Sequence, residues 1–141
     1  MTRVLIIDDC NEFKLVVQEI LEDIGYYVFS ADGPKEALNI CDQQEFDVVL
    51  CDLVMSTEEE KIDDYQNHSA MVGVHTMREL ARRHPNLPII AVSGQLTGAP
   101  LHSMQSFGAV KCLSKPFGRD ELIGAIDTVT GQGSIIEPSI D

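Results

Sequence analysis

The chain has 141 residues, which fits one globular domain with a hydrophobic core. Hydrophobic residues make up 44% of it, and this composition argues against a disordered chain. Ten basic residues stand against 23 acidic ones, and the net charge of −13 argues against nucleic acid and anionic membrane surfaces as partners. No apolar stretch is long enough to span a bilayer, and no signal peptide precedes the first strand, so we expect a cytoplasmic protein.

The first half of the chain alternates predicted strands and helices. Residues 4–7 (VLII) and 48–51 (VVLC) are continuous apolar runs, typical of strands buried on both faces of a parallel sheet, and residues 26–29 form a further strand. Between these strands, one helix is predicted with Asn11 as its N-cap, and a second begins at Pro34. The order βαβαβ predicts a doubly wound parallel α/β fold.

A polar segment interrupts this alternation at about residues 56–71. It contains the acidic run 58–60 (EEE) and few residues that could be buried, and helical spacing of apolar residues returns only at Val74. We interpret the segment as a solvated loop, with a surface for a basic partner as the alternative.

Strands and helices resume in the second half. Strands are predicted at residues 87–92 and 110–113, a short helix at about 99–107 lies between them, and an amphipathic helix follows. We therefore predict a single domain over residues 1–131 with the polar insertion, and a short C-terminal tail over residues 132–141.

Polar side chains follow four of the predicted strands, at the point where each strand ends. They are Asp8 and Asp9 after the first strand, Asp52 after the third, Ser93 after the fourth and Lys115 after the fifth. Because the carboxyl ends of parallel strands meet at one edge of the sheet, these groups should converge at the edge where α/β proteins bind ligands.

The chemistry of this set favours phosphoryl transfer. Close carboxylates repel one another by roughly 1 to 4 kcal/mol per pair, and a hard divalent cation such as Mg²⁺ removes that repulsion. Lys115 supplies a positive charge and Ser93 a hydroxyl for the oxygens of a phosphoryl group. The set predicts attack by Asp52 on an activated phosphorus to form an acyl phosphate. Alone, Asp52 fits a loop or helix-cap carboxylate equally well.

The motifs Asp-Asp, Asp-x-x-Met, Ser-Gly and Lys-Pro-Phe, each after its own strand, resemble the response-regulator receiver domain of two-component signal transduction. The resemblance is to the single-domain, chemotaxis-regulator type and runs from about Arg3 to Val129. It implies a flavodoxin-like (βα)5 fold with strand order 2-1-3-4-5. It also implies that Asp52 is phosphorylated by a sensor histidine kinase or a histidine phosphotransfer protein, and that a downstream protein reads the change.

The resemblance further implies a set of metal ligands for Mg²⁺, with Mn²⁺ as the alternative ion. These ligands are Asp8, Asp9, Asp52 and the backbone carbonyl of Val54. Ser93 and Lys115 would contact the phosphoryl group, and the peptide bond between Lys115 and Pro116 would be cis.

The chain departs from the family pattern at three positions. Ser56 follows Met55 where many receivers have proline, and Gly73 comes only after the polar insertion. Cys112 stands at the switch position, where the family usually carries Tyr or Phe, and is too small to reproduce the inward swing of a ring. We therefore hypothesise that the insertion reports phosphorylation.

Other readings of the pattern are weaker. The main alternative is a receiver-like protein-interaction module that works without phosphorylation, and such a module would have no chemical need for all five polar residues. An aspartyl phosphatase would place a second Asp where Val54 stands, and a nucleotide-binding fold would need a Gly-rich loop at residues 8–11.

The four cysteines and four histidines show no metal-ligand spacing. We predict that the cysteines are reduced, buried thiols that pack as small apolar side chains.

Overall fold

The computed structural model describes residues 2–53, 65–94 and 101–131. The elements are β1 (Arg3–Ile7), α1 (Asn11–Asp23), β2 (Tyr27–Ala31), α2 (Pro34–Gln43), β3 (Val48–Asp52), α3 (Tyr65–Arg83), β4 (Ile89–Ser93), a 3-10 helix (Ser103–Phe107), β5 (Lys111–Ser114) and α4 (Arg119–Thr130). The five strands form one parallel sheet in the order β2-β1-β3-β4-β5, which confirms the predicted fold. Within the described residues, no helix is both long and apolar enough to cross a membrane.

Each face of the sheet carries its own hydrophobic core. Because side chains alternate along a strand, Val49 faces the core formed with α2 and α3, whereas Val48 and Leu50 face the core formed with α1 and α4. All five residues of β3 are buried. Each fully buried aliphatic side chain contributes about 1.5 to 3 kcal/mol, so β3 is held firmly between two packed layers.

The strand register places the carboxyl ends of β1, β3 and β4 at the same level of the sheet. Ile7 is the partner of Cys51, so Asp8 leaves β1 at the level where Asp52 ends β3. Asp52 in turn is the partner of Val92, and Ser93 follows directly on β4. The polar residues after these strands therefore begin at the same height of the sheet.

Helix α1 begins one residue away from its predicted start. Asn11 is the first helical residue and Cys10 is the N-cap, which has no side-chain capping bond, so the prediction for Asn11 is wrong by one position. The carboxylate of Asp8 accepts the Cys10 N–H at 2.8 Å. The side chain two residues earlier thus turns the chain into the helix, a pattern typical of Asp in tight turns.

Helix α3 begins at Tyr65, so the predicted loop is wrong for residues 65–71. Once a helix is anchored, each further residue adds a backbone hydrogen bond and needs no burial of its own, and polar residues can therefore extend it. The buried side chains of Met77 and Leu80 provide that anchor. The rest of the predicted insertion, residues 56–64, and the tail, residues 132–141, lie outside the described residues.

Gly73 brings α3 against the backbone that directly follows β3. A Cβ atom at Gly73 would overlap the backbone carbonyl group of Leu53, closer than any side chain can approach. Glycine is therefore required where α3 crosses Leu53, the residue directly after Asp52.

Candidate functional site

The structure brings three carboxylates together at the carboxyl edge of the sheet. Oxygens of Asp8, Asp9 and Asp52 lie within 4.8 Å of one another. Asp8 and Asp52 are buried, with 1% and 5% of their surface exposed, whereas Asp9 is exposed. The arrangement offers a hard divalent cation several carboxylate oxygens and leaves one side of the cluster open to solvent.

Lys115 places a positive charge beside this cluster. Its Nζ donates to Asp8 Oδ2 at 2.8 Å and lies 3.9 Å from Asp52 Oδ1. One ammonium therefore serves two buried carboxylates, while Asp9 adds a third negative charge. The site retains an excess of negative charge that a bound cation would offset.

Ser93 lies at the end of β4 and is fully buried. Its carbonyl oxygen accepts the backbone N–H of Lys115 at 2.8 Å, which fixes the end of β5 against the end of β4. The peptide bond between Lys115 and Pro116 is cis, which confirms that expectation. Val54, the predicted backbone ligand, lies outside the described residues.

Sequence patterns did not single out Phe13, which contacts the site, or the buried Lys14 on the same helix. The Lys115 Nζ lies 4.0 Å from the centroid of the Phe13 ring. Lys14 is buried on α1 and forms an ion pair with Asp32, directly after β2. A lysine between apolar positions of an amphipathic helix is the signal that could have marked Lys14, since a buried ammonium needs a partner.

Cys112 is half-buried, and its thiol donates to the carbonyl oxygen of Leu101 at 3.2 Å. Burial raises the pKa of the Cys112 thiol, so the group is a neutral hydrogen-bond donor at neutral pH. A small, anchored side chain therefore lies at the position that the sequence predicts as the switch. The hypothesis that the insertion reports phosphorylation concerns mainly residues outside the described ranges.

All four cysteines are free, but the predicted burial is wrong for Cys10, which is exposed, and holds only in part for the half-buried Cys112. Cys41 and Cys51 are buried, whereas Cys10 is exposed because it lies at the turn between β1 and α1. Burial raises the pKa of Cys41 to about 11 and that of Cys51 still further. Both of these thiols are therefore protonated at neutral pH.

Comparison with known protein families gives a match over most of the chain. The model of the response regulator receiver domain matches residues 4–127. The chain is 31% identical to the sensor protein GacS of Pseudomonas syringae pv. syringae over 129 residues, which cover 92% of this chain and 13% of GacS. It is 33% identical to the probable transcriptional regulator ycf27 of Guillardia theta over 133 residues, 90% of this chain and 44% of that protein. The chain thus spans less than half the length of these relatives.

Solved structures share the fold. The receiver domain of NtrX from Brucella abortus superposes with a TM-score of 0.76 at 25% identity, over 91% of this chain and 98% of that domain. The response regulator protein TrrA from Thermotoga maritima, solved in complex with Mg²⁺ and BeF, superposes with a TM-score of 0.73 at 22% identity, over 92% of this chain and 99% of TrrA. At 22% identity, the TrrA comparison establishes the fold alone.

Proposed function

The chain belongs to the response regulator receiver domain family, and on this premise we propose that Asp52 accepts a phosphoryl group from the phosphohistidine of a partner protein. The observation that carries the proposal is the position of Asp52, buried at the carboxyl end of the central strand within 4.8 Å of Asp8 and Asp9. The family is a signalling domain of two-component systems, so the product is a modified protein and not a released metabolite.

In the proposed reaction, a carboxylate oxygen of Asp52 attacks the phosphorus while the bond from phosphorus to the histidine nitrogen breaks. The product is an acyl phosphate on Asp52 and a neutral histidine on the partner. Because β3 is buried along its whole length, the nucleophile is held on a rigid strand. Fixed geometry of this kind lowers the entropic part of the barrier.

Lys115 and Ser93 are the residues proposed to receive the phosphoryl oxygens. The Lys115 ammonium already lies 3.9 Å from Asp52, so a phosphoryl group added to Asp52 would find a positive charge beside it. Ser93 is at the end of the adjacent strand, and its hydroxyl can donate to the same group. Both residues would therefore stabilise charge that develops during transfer.

The carboxylate cluster is proposed to hold Mg²⁺, with Asp8, Asp9 and Asp52 as side-chain ligands and the backbone carbonyl of Val54 as a further ligand. The donor set fits, since Mg²⁺ prefers carboxylate and carbonyl oxygens and retains several waters. When bound, the ion offsets the negative charge that accumulates between Asp52 and the phosphoryl oxygens. TrrA, which shares the fold, is solved with Mg²⁺ and BeF, so a protein of this fold can be prepared in such a complex.

The proposed partners are a sensor histidine kinase or a histidine phosphotransfer protein, and a downstream protein that reads the phosphorylated state. Relatives that carry a similar segment include the sensor protein GacS and the autoinducer sensor kinase/phosphatase CqsS. The chain matches 13% and 17% of these two proteins, so the partners are inferred from the family and not from the whole relatives.

Intact-mass measurement after incubation with acetyl phosphate tests the proposal. We expect one phosphoryl group per native chain in the presence of Mg²⁺, and none after chelation with EDTA. Asp52→Ala should remain unmodified, while Asp47→Ala serves as a control at the opposite edge of the sheet. Modification of Asp52→Ala to the native extent would contradict the assignment, whereas an unmodified native protein would favour the alternative module that works without phosphorylation.

A further inference from the structure

Phe13 forms the least expected contact of the site. Its ring centroid lies 4.0 Å from the Lys115 Nζ, well within the range over which an ammonium is attracted to the face of an aromatic ring. The Phe117 ring lies nearly perpendicular to the Phe13 ring, at 84°, with centroids 5.7 Å apart. This edge-to-face geometry is a favourable one for aromatic pairs and fixes the orientation of the Phe13 ring.

The chain supplies these three side chains from only two places. Phe13 lies in the first turn of α1, four positions after Asp9, so it is close to the carboxyl edge. Phe117 follows Lys115 by two positions. Both rings are partly buried against the core between the sheet, α1 and α4. The ammonium therefore lies between a carboxylate, Asp8, and an aromatic ring.

We propose that Phe13 is a positioning residue that holds the Lys115 ammonium at the phosphoacceptor edge. The inference rests on the proposed function and adds a residue to it. A cation at the carboxylate cluster would draw on Asp8, the group that now binds Lys115 at 2.8 Å. The contact with the ring does not depend on any carboxylate, so it keeps Lys115 beside Asp52 when Asp8 is engaged elsewhere.

A purely structural role for Phe13 makes different predictions. If the ring only fills space, its replacement alters stability without a specific effect on Lys115. If the ring positions the ammonium, its effect on phosphoryl binding disappears once Lys115 is removed. The two roles therefore separate in variants that combine changes at both residues.

The first test is an NMR measurement on the metal-free, unphosphorylated protein. A methylene group beside the face of an aromatic ring is shifted upfield, so the ε-protons of Lys115 should show that shift in the native protein. Phe13→Leu and Phe13→Met should abolish the shift, whereas Phe13→Tyr should keep it. Phe46→Leu is the matched control, since it removes a ring that contacts Arg3 at the opposite edge. Ordinary Lys115 shifts in the native protein would overturn the proposal.

The second test measures the affinity for beryllofluoride in the presence of Mg²⁺. Phe13→Leu should weaken beryllofluoride binding by about three- to tenfold, the effect of one partly buried cation–π contact. Phe13→Tyr, which keeps the ring, should bind with the native affinity. In a Lys115→Ala background, Phe13→Leu should cause no further loss. An equal loss in both backgrounds would contradict the positioning role. Failure of the native protein to bind beryllofluoride would count against the proposed function instead, and would leave the NMR result to decide the contact.

Discussion

The amino and carboxyl edges of the sheet differ in how their charged side chains are arranged. At the amino edge, the guanidinium groups of Arg3 and Arg83 each have hydrogen-bond partners. At the carboxyl edge, the oxygens of three carboxylates lie within 4.8 Å of one another, and the Lys115 ammonium contacts two of these carboxylates. The difference indicates that the amino edge contributes to stability, whereas the carboxyl edge concentrates negative charge where a cation could bind.

Arg3 shows how the amino edge is built. Its guanidinium donates to the Glu45 carbonyl oxygen and to Gln44 Oε1, both at 2.7 Å, and lies 5.0 Å and 5.5 Å from the centroids of the Phe29 and Phe46 rings. Its planar shape allows hydrogen bonding and ring contact at the same time. Arg3 therefore ties the start of β1 to the segment that leads into β3.

A cavity of about 720 Å³ opens at this amino edge, between the ends of α2 and α3. Several of the polar side chains here are paired: Arg83 donates to Asp42 at 2.8 Å and to Glu79 at 2.8 Å, and His84 lies 3.2 Å from Asp42. The concave shape alone would make this cavity a candidate site. The pairing of Arg83 with Asp42 and Glu79 contrasts with the carboxyl edge, where three carboxylates cluster.

The largest expected effect comes from adding Mg²⁺. A cation that binds only the native state stabilises it by about 2.7 kcal/mol at one hundred times its dissociation constant. We expect this gain in the free energy of unfolding of the native protein, and a much smaller gain in Asp9→Asn. Denaturant titrations with and without EDTA measure the difference. Equal stabilisation of both proteins would place the cation elsewhere.

Removal of Arg3 tests the amino edge. Arg3→Ala loses two charged hydrogen bonds and two ring contacts, so we expect the free energy of unfolding to fall by about 2 kcal/mol. Arg3→Lys retains the charge but not the planar fork, and should recover only part of the loss. Thermal unfolding monitored by circular dichroism is the measurement. An unchanged free energy of unfolding in Arg3→Ala would show that the pairing at this edge contributes nothing to stability.

A smaller effect, of opposite sign, is expected at the carboxyl edge. Asp9→Asn removes one of three clustered charges without changing the shape of the side chain, so stability without divalent cations should rise by about 1 kcal/mol. The matched change at the amino edge is Asp47→Asn, where the carboxylate accepts the Arg3 N–H at 2.8 Å. That variant should show no gain. Destabilisation by Asp9→Asn would refute the expected repulsion among the three carboxylates.

The smallest effect concerns thiols at the two edges. At pH 8, an alkylating reagent should modify the exposed Cys10 first, because Cys41 is buried and its pKa is raised to about 11. The folded state favours the protonated Cys41 thiol, so its contribution to stability is complete below pH 9 and is lost between pH 9 and pH 11. Peptide mapping after timed alkylation gives the order of reaction. Faster labelling of Cys41 than of Cys10 would contradict it.

Most of the fold could be predicted because its signals are local. A continuous apolar run that ends in Asp52 specifies both a buried strand and the point where its carboxylate emerges. The parallel topology then brings the ends of the other strands to the same edge. The start of α3 could not be predicted in this way, since residues 65–71 are helical without an apolar pattern of their own.

The part of the site that escaped prediction depends on distant side chains. Phe13 and Lys115 are separated by most of the chain, and their contact depends on how α1 and the end of β5 pack against the sheet. Helical spacing identifies Phe13 only as an apolar position on an amphipathic helix. The N-cap was misplaced for a related reason, because the Asp8 side chain binds the Cys10 N–H at the turn.

The most direct test of the account is to locate the phosphoryl group on the chain. After transfer from a phosphohistidine donor in the presence of Mg²⁺, borohydride reduction converts an aspartyl phosphate to homoserine, which tandem mass spectrometry assigns to a single position. We expect homoserine at residue 52 in the native protein, and at no position when the donor or Mg²⁺ is omitted. Homoserine at residue 8 or 9, or modification that persists after chelation, would contradict the central claim that Asp52 is the phosphoacceptor of a cation-dependent site.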